Sequence, residues 1–309
     1  MNPAQFPRLL QDRPEEERRH WARWVLGSHS DQFIPEMNEF VANLDRHDPI
    51  HSGTPCLNPG PRADDVIVLA CNRGRHCVVV DRPPCCRVVL FDYTGKGVDA
   101  SANPQGWPVI STATEGKGQI MEESCRQLGL PPEGHYMGFI DDDVMVGMGD
   151  LHRLLGIARV FDLSACQPAV SLTSSLSREY GFLRHRAGMP LHRVPIVEAM
   201  TPFLRRELLK LSLPFLPGIR SAYGFDRFAL PLCAAHLGIW RFAAVDAAMM
   251  AHVRPMRSQS VRLSNGLLCR EEELLMRYRL TATIGMFDPR NPDYLRLEDA
   301  ASSKPPGTI

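Results

Sequence analysis

The chain has 309 residues, of which 44% are hydrophobic, so it is long enough for one large α/β domain with a substantial core. Its 35 basic and 35 acidic residues balance, which argues against a general nucleic-acid binder, and no apolar run predicts a transmembrane segment or a signal peptide. Nine scattered cysteines without a CxxC pair argue against a zinc ribbon and predict a cytoplasmic protein in a reducing compartment.

The N-terminal part of the chain, residues 1–63, is predicted to be a helical extension followed by a linker. Acidic residues at 15–17 precede Trp21 and Trp24, whose spacing places both on one helix face. We therefore expect the two tryptophans to pack on the main domain rather than to bind a ligand. Residues 46–63 are rich in Pro, Gly and His, which is typical of a loop.

A larger domain is predicted over residues 64–258, where apolar runs alternate with helical patterns. The runs at 66–70, 87–91 and 136–140 are typical of buried parallel strands, and the pattern at 118–128 is typical of a helix. This alternation predicts an α/β fold with a mostly parallel sheet that is flanked by helices. Ligands of such sheets bind at the carboxyl ends of the strands.

The second half of this domain is less regular, and its elements are predicted from shorter patterns. A helix is expected at 151–158 with Asp150 as its N-cap, because Asp accepts hydrogen bonds from the first turn. A further helix is expected at 198–211, and an apolar strand at 239–245.

The last part of the chain, residues 259–309, is predicted to be a C-terminal extension. Its one expected helix covers residues 270–280. From residue 300 onward the chain is rich in Ala, Ser and Pro, and this tail is predicted to be disordered. The sequence thus divides into two extensions and a central domain that holds the sheet.

Three consecutive carboxylates, Asp141, Asp142 and Asp143, follow the predicted strand at 136–140 and precede another apolar stretch. Like charges so close together are costly unless a positive group lies beside them. Acidic runs also occur on solvated loops, but this one lies between two segments that are predicted to be buried. The usual compensating group is Mg²⁺ or Mn²⁺, bound also to a phosphorylated substrate. The run therefore predicts an enzyme that handles a nucleotide diphosphate.

Several short stretches match one family pattern in order along residues 64–258. They are LFDYTG at 90–95, KG at 117–118, GFIDDD at 138–143, CQPA at 166–169, IVEAM at 196–200, YGFD at 223–226, and VD at 245–246 with HVRP at 252–255. On these motifs the chain resembles a bacterial and plant family of uncharacterised glycosyltransferases within the metal-dependent, DxD-containing superfamily of the GT-A fold. The resemblance implies a GT-A-like domain that moves a sugar from a nucleotide-diphosphate donor, a UDP-sugar, to a hydroxyl acceptor.

The resemblance also implies roles for the acidic run and for two residues near the end of the domain. Asp143 would bind the metal, Asp141 would bind the donor ribose or reach the metal through water, and Asp142 would assist or face the sugar. His252 would supply a further metal ligand; a buried, hydrogen-bonded core histidine is the alternative. Arg254 would contact the diphosphate of the donor.

Two more positions are candidates for donor binding. Asp92 ends the second strand, where this superfamily often holds the nucleotide base; an Asp that caps the turn before Gly95 is the alternative. Lys117 opens a helix, and a lysine with free amides at a helix N-terminus suits a phosphate or the donor. An ordinary solvated lysine is the alternative for this position.

Inverting sugar transfer needs a carboxylate that takes the proton of the acceptor hydroxyl. Asp226 is the first candidate, because its aromatic and glycine neighbours suit a carboxylate at a cleft. Glu198 is the rival, with a structural ion pair as the alternative for it. The acceptor stays open among a glycan, a lipid-linked sugar, a protein, a small molecule and a modified nucleic acid. The basic side chains that either hold a charged acceptor or form a solvated loop are Arg184, Arg186 and Arg193.

Two other functions compete with sugar transfer. A nucleotidyltransferase or nucleotide-sugar pyrophosphorylase usually needs a glycine-rich basic loop after the first strand, whereas residues 71–75 contain a single glycine. A non-catalytic domain that binds a nucleotide sugar is the other alternative. The intact Asp141, Asp143, Asp226 and His252 argue against that loss of catalysis.

Overall fold

A ten-stranded sheet organises the computed structural model of the chain, which describes residues 6–27, 38–39, 41–46, 50, 63–174, 178–254, 261–286, 288 and 290–302. The strands are β1 (Val66–Cys71), β2 (Val78–Val79), β3 (Arg87–Asp92), β4 (Val109–Ser111), β5 (Tyr136–Ile140), β6 (Val144–Gly147), β7 (Ala165–Val170), β8 (His192–Arg193), β9 (Phe203–Arg205) and β10 (Phe242–His252). The helices are α1 (Glu15–Gly27), α2 (Lys117–Leu128), α3 (Met148–Val160), α4 (Arg206–Ser212), α5 (Leu230–Leu237), α6 (Cys269–Thr283) and α7 (Pro292–Ser302).

The strand order is β2-β6-β10-β7-β9-β5-β1-β3-β4, with β8 paired to β10. Strands β5, β1, β3 and β4 are mutually parallel, as are β7 and β10. Strand β9 runs antiparallel between β5 and β7, and β6 runs antiparallel to β10. The predicted α/β class is confirmed, and the sheet is mixed: five of its nine ladders are parallel.

The centre of the sheet is fully buried because its strands carry apolar side chains on both faces. All residues of β1, β5 and β7 are buried, as expected for strands covered by helices on either side. Gly138 in β5 allows Phe203 of the reversed β9 to approach, since a Cβ at this glycine would lie 2.3 Å from the Phe203 ring. This close contact fixes β9 beside the strand that leads into the acidic run.

Most predicted helices are confirmed, with different ends. Helix α2 and helix α6 contain the predicted ranges 118–128 and 270–280. Helix α3 begins earlier than predicted, with Gly147 as its N-cap. The prediction that Asp150 is the N-cap is therefore wrong: Asp150 lies in the first turn, 2.5 Å from the Arg153 guanidinium.

The predicted helix at 198–211 is wrong in its first half, because only α4 is helical there. Pro202 has no N–H donor and disfavours helical geometry at Thr201. Phe203–Arg205 instead fills the gap between β5 and β7 as a strand. The predicted strand at 239–245 is confirmed in its second half, and it continues as β10 to His252.

Both extensions pack on the same hydrophobic core as the central domain. Trp21 and Trp24 of α1 each lie 5.6 Å from the Trp240 ring centroid, which confirms the predicted packing. Helices α6 and α7 bury Leu275 and Leu297 in this core.

The predictions for the two ends of the chain are tested only where the structure describes residues. Residues 300–302 belong to helix α7, against the predicted disorder, and α7 is a second helix where one was expected. Residues 303–309 and most of the predicted linker lie outside the described residues. The division at residues 63 and 258 stays a prediction. Within the described residues, no helix is long and apolar enough to cross a bilayer.

Candidate active site

A cavity of about 330 Å³ opens beside the ends of β1 and β5. The sequence-predicted residues that line it are Lys117, Asp141, Asp142, Asp143, Glu198, His252 and Arg254. They come together because β5 ends directly before the acidic run and the long β10 returns beside β6, where His252 pairs with Val144. Asp92 and Asp226 do not line this cavity.

Each carboxylate of the acidic run faces a different basic side chain. Asp141 lies 2.5 Å from the Lys117 ammonium, and Asp142 lies 3.1 Å from the Arg254 guanidinium. The third, Asp143, lies 3.3 Å from the imidazole of His252. The protein itself thus supplies the positive groups that three adjacent carboxylates require.

Lys117 is buried, and its ammonium is held by three acceptors. Its Nζ donates to Asp141, to the Phe139 carbonyl at 3.1 Å and to the Met200 carbonyl at 3.2 Å. A lysine has three N–H donors, so all of them are engaged within the protein. The geometry is therefore not that of a solvated lysine, and it does not leave an ammonium proton for a phosphate. Burial raises the pKa of Asp141, although the Lys117 charge opposes this.

His252 and Asp143 form a second, partly buried pair. The hydrogen bond that His252 donates to the Asp143 carboxylate raises the pKa of His252, against the opposing effect of burial. Burial raises the pKa of Asp143 in turn, but the hydrogen bond and charge of His252 outweigh it, so this pKa is lowered overall. The backbone supports the pair, because Val253 N–H donates to the Asp143 carbonyl at 3.0 Å.

The side chains of the cavity suit a divalent cation only if oxygens of the substrate complete its coordination. Among the described residues, no group of three or more His, Cys, Asp and Glu side chains is arranged to hold a metal. The Asp143 Oδ2 and the His252 Nε2 are nevertheless 3.3 Å apart, close to the roughly 3 Å between adjacent ligands of an octahedral ion. One or two carboxylates plus phosphate oxygens and water is a usual Mg²⁺ arrangement, and a neutral imidazole is a common further metal ligand. Asp143 and His252 therefore fit as the protein's share of such a site.

Among the described residues, Glu198 is the carboxylate of the cavity without a cationic partner in contact. Its backbone N–H donates to Gln167 Oε1 at 2.7 Å, whereas its buried Oε2 has no hydrogen-bond partner in the part of the chain that the structure describes. Burial, followed by repulsion from Asp226, raises the pKa of Glu198 to about 8. Glu198 thus brings a buried carboxyl group with a raised pKa to the wall of the cavity.

Asp226 lies behind Glu198 in a turn of π-helix at Phe225–Ala229. Its carboxylate accepts the backbone N–H groups of Arg227 at 2.8 Å and of Ala199 at 3.3 Å. Burial raises its pKa, and the Arg227 charge opposes this. Its contacts hold the segment that carries Glu198 rather than an external ligand.

The Asp92 carboxylate is occupied by its own loops. Its oxygens accept hydrogen bonds from the backbone of residues 73, 94, 96 and 97 and from the hydroxyls of Thr94 and Ser111, at 2.7–3.2 Å. Burial raises its pKa, but these hydrogen bonds outweigh burial and lower it to about 2. The turn-capping alternative describes this geometry, because a carboxylate offers about four lone-pair sites in total.

Arg184 and Arg193 of the predicted basic loop make contacts that hold the fold, whereas the Arg186 side chain is exposed. Arg184 donates to the Ser171 and Ser174 carbonyls. Arg193 donates to the Trp240 carbonyl at 2.6 Å and is buried. None of these basic side chains, including Arg186, lines the cavity.

Sequence reasoning did not assign a role to two aromatic residues of the cavity, Tyr93 and Tyr223. The Tyr93 hydroxyl donates to Asp142 at 2.9 Å, and burial together with this contact raises its pKa to about 12. Both tyrosines lie in motifs that also contain a singled-out aspartate. Their position near these aspartates is the one sign in the sequence that the tyrosines belong to the site. The groups that their hydroxyls contact depend on the fold.

No protein-family profile and no curated protein sequence matches this chain. The chain superposes in part on several solved structures, of which three are described below. GalNAc-T7 with UDP, GalNAc and Mn²⁺ gives a TM-score of 0.46 at 11% identity, over 69% of this chain and 48% of that one. The mannosyltransferase PcManGT from Pyrobaculum calidifontis, in complex with GDP-Man and Mn²⁺, gives 0.46 at 15% identity, over 93% and 81%. S. aureus TarS 1-349 in complex with UDP-GlcNAc gives 0.40 at 13% identity, over 75% and 78%.

The chain thus spans about half the length of GalNAc-T7 and most of the length of the mannosyltransferase. These scores and identities are low.

Proposed function

We propose that this chain is a metal-dependent glycosyltransferase that moves a sugar from a nucleotide-diphosphate donor to a hydroxyl acceptor. One observation carries the proposal. A single cavity at the carboxyl edge of the sheet combines the Asp143–His252 pair, the Arg254 guanidinium and a buried Glu198. Diphosphate binding and removal of a hydroxyl proton are the two tasks that sugar transfer sets, and this cavity has groups for both.

The diphosphate of the donor binds between Arg254 and the Asp143–His252 pair in this proposal. The Arg254 side chain is half exposed, so its guanidinium is accessible from the cavity. Mn²⁺ or Mg²⁺, held by Asp143 and His252, would neutralise the charge that develops on the departing nucleoside diphosphate. Lys117 holds Asp141 through their ion pair, so Lys117 orients Asp141 without itself contacting the phosphates.

Glu198 is the proposed base in place of Asp226. Glu198 lines the cavity and has an oxygen without a hydrogen-bond partner, whereas the Asp226 carboxylate accepts backbone N–H groups behind it. A pKa of about 8 also lies near the value that general-base catalysis favours at neutral to mildly alkaline pH. Asp226 contributes by raising that pKa and by holding Ala199.

UDP is the proposed nucleotide on the resemblance alone. Asp92 gives no support for a particular base, because its carboxylate is occupied by hydrogen bonds from its own loops. Binding of UDP, GDP and CDP in the presence of Mn²⁺, measured by calorimetry, tests this choice. Tighter binding of GDP or CDP than of UDP overturns it.

The nucleotidyltransferase alternative is disfavoured by the loop after β1. Asn72 and Arg75 bond to each other's backbone, and the Arg73 N–H donates to Asp92 at 3.1 Å. These amides are thus engaged within the turn and are not free to cradle a triphosphate.

A panel of nucleotide sugars with Mn²⁺ tests the proposal, with the released nucleotide product as the readout. Release of nucleoside diphosphate by the wild type, lost in Glu198→Gln, supports sugar transfer. Release of pyrophosphate from nucleoside triphosphate and sugar phosphate instead supports a nucleotidyltransferase. Binding of a nucleotide sugar without any turnover supports the non-catalytic alternative.

A further inference from the structure

A buried carboxylate of the C-terminal extension holds the loop that supports one wall of the cavity. Glu272 of α6 is fully buried and accepts four hydrogen bonds. Its Oε1 takes the Arg220 N–H and the Asn265 amide, both at 3.0 Å. Its Oε2 takes the N–H of Ser221 at 2.8 Å and the hydroxyl of Ser221 at 2.6 Å. These four donors occupy the lone-pair sites of the carboxylate and fix residues 220–221.

That loop is in turn packed backbone to backbone against the start of α2. The Gly118 N–H donates to the Arg220 carbonyl at 2.9 Å. A Cβ at Gly118 would lie 2.1 Å from the Ile219 carbonyl oxygen, and one at Gly116 would lie 2.5 Å from the Arg220 carbonyl oxygen. Only glycine permits this approach at either position. The two chain segments therefore move together.

Lys117 lies between these two glycines and holds Asp141, as described above. Its neighbour Glu115 also lines the cavity and is tied to the C-terminal extension directly. The Glu115 carboxylate accepts the Ser264 N–H at 3.1 Å and the Ser264 hydroxyl at 2.9 Å. It also lies 2.5 Å from the Arg220 guanidinium.

We infer that Glu272 is a positioning residue of the active site. It fixes residues 220–221, which fix the glycines on either side of Lys117, and Lys117 then places Asp141 in the acidic run. The C-terminal extension is on this account part of the catalytic unit, rather than an appended segment. The expected effect of Glu272 on donor binding rests on the proposed function, whereas its effect on the position of Lys117 does not.

The test compares Glu272→Gln with a matched control from the same extension. An amide would present an N–H₂ group to donors, so at least one of the four contacts is lost. The control is Glu298→Gln, which breaks the buried pair of Glu298 with Arg279, at 2.7 Å. Arg279 otherwise donates to the Phe215 and Pro217 carbonyls. Asn265→Ala, which removes one donor to Glu272, is the milder variant if Glu272→Gln does not fold.

The first measurement is hydrogen exchange of the peptides that cover residues 115–122 and 218–226, with every variant folded. We expect faster exchange in both peptides for Glu272→Gln or Asn265→Ala, and wild-type exchange in both for Glu298→Gln. A general loss of stability would instead accelerate hydrogen exchange in the Glu298→Gln control as well. Wild-type exchange of residues 115–122 in the Glu272 and Asn265 variants overturns the inference, as does equal acceleration in the control.

The second measurement is the affinity for UDP with Mn²⁺, by calorimetry. Glu272→Gln should bind about tenfold more weakly or worse, the equivalent of one lost hydrogen bond to a charged group. Glu298→Gln should bind like the wild type. Unchanged affinity in Glu272→Gln, beside a wild type that binds, contradicts the positioning role. A wild type that binds no nucleoside diphosphate contradicts the proposed function, while the exchange experiment still decides the inference.

Discussion

Replacing Glu198 by glutamine should stabilise the protein while it removes activity. The folded-state pKa of about 8 lies well above the ordinary 4.5, so between these values the folded protein retains a proton that the unfolded chain has lost. The stability that this proton gives is complete below the unfolded pKa, and it is lost as pH rises through the folded pKa. Glutamine is neutral throughout, so the variant does not lose it.

The size of the effect follows from the pH distance. Each pH unit between the two pKa values corresponds to about 1.4 kcal/mol. At pH 7 the variant should therefore be more stable than the wild type by up to roughly 3 kcal/mol. Glu198 is only 8% exposed, so solvent screening reduces this figure little. The difference should be near zero below pH 4.5 and should reach a plateau above pH 8.

The assay is urea unfolding of wild type and Glu198→Gln at a series of pH values from acid to mildly alkaline. Glu133→Gln is the control for the substitution itself, because the Glu133 side chain is 85% exposed. A stability difference that does not change with pH, or a variant that is less stable than the wild type at pH 7, refutes the reasoning. A matching dependence in the control would assign the effect to the unfolded state instead.

Four further predictions concern activity, the metal and the charged pairs. Glu198→Gln should lower turnover by about 10²–10⁴-fold at unchanged UDP affinity, whereas Asp226→Asn should be milder; the reverse order in steady-state kinetics would return the base to Asp226. The wild-type kcat/KM should rise with pH until about pH 8, where Glu198 ionises, and a profile that is flat from pH 6 to 9 contradicts this. EDTA should abolish turnover, and UDP should raise the Tm only with Mn²⁺ or Mg²⁺ present, so full activity in EDTA would exclude the metal. Lys117→Met should cost about 3 kcal/mol in urea unfolding, because it leaves Asp141 unpaired; an unchanged midpoint would show that the pair is not stabilising.

The parts of the fold that follow from local pattern could be predicted from the sequence. The apolar runs of β1, β3 and β5 and the periodicity of α2 and α6 reflect side chains that must be buried, whatever their partners. The acidic run after β5 could also be recognised, because three adjacent carboxylates between two apolar segments are a local sequence pattern. The predicted helix from residue 198 failed because the gap between β5 and β7 captures Phe203–Arg205, a tertiary effect that local propensity does not contain.

The partners within the site could not be predicted, because they are distant in sequence. Lys117 bonds to Met200, 83 residues away, and Arg254 bonds to Asp142, 112 residues away. Whether Asp92 binds a base or caps a turn likewise depends on how the loops before β4 fold around it. A motif shows which groups are available, whereas the fold decides which of them are already occupied.

The separate cation beside each aspartate also bears on how fast an anionic donor reaches the cavity. An uncompensated run of three carboxylates would repel a diphosphate over about a Debye length, and its arrival would accelerate with added salt. Lys117, Arg254 and, when it is protonated, His252 cancel that field at close range. We therefore expect the association rate of UDP, measured by stopped flow, to change little with ionic strength. In Arg254→Met, where Asp142 loses its cation, the rate should fall at low salt and recover as salt is added.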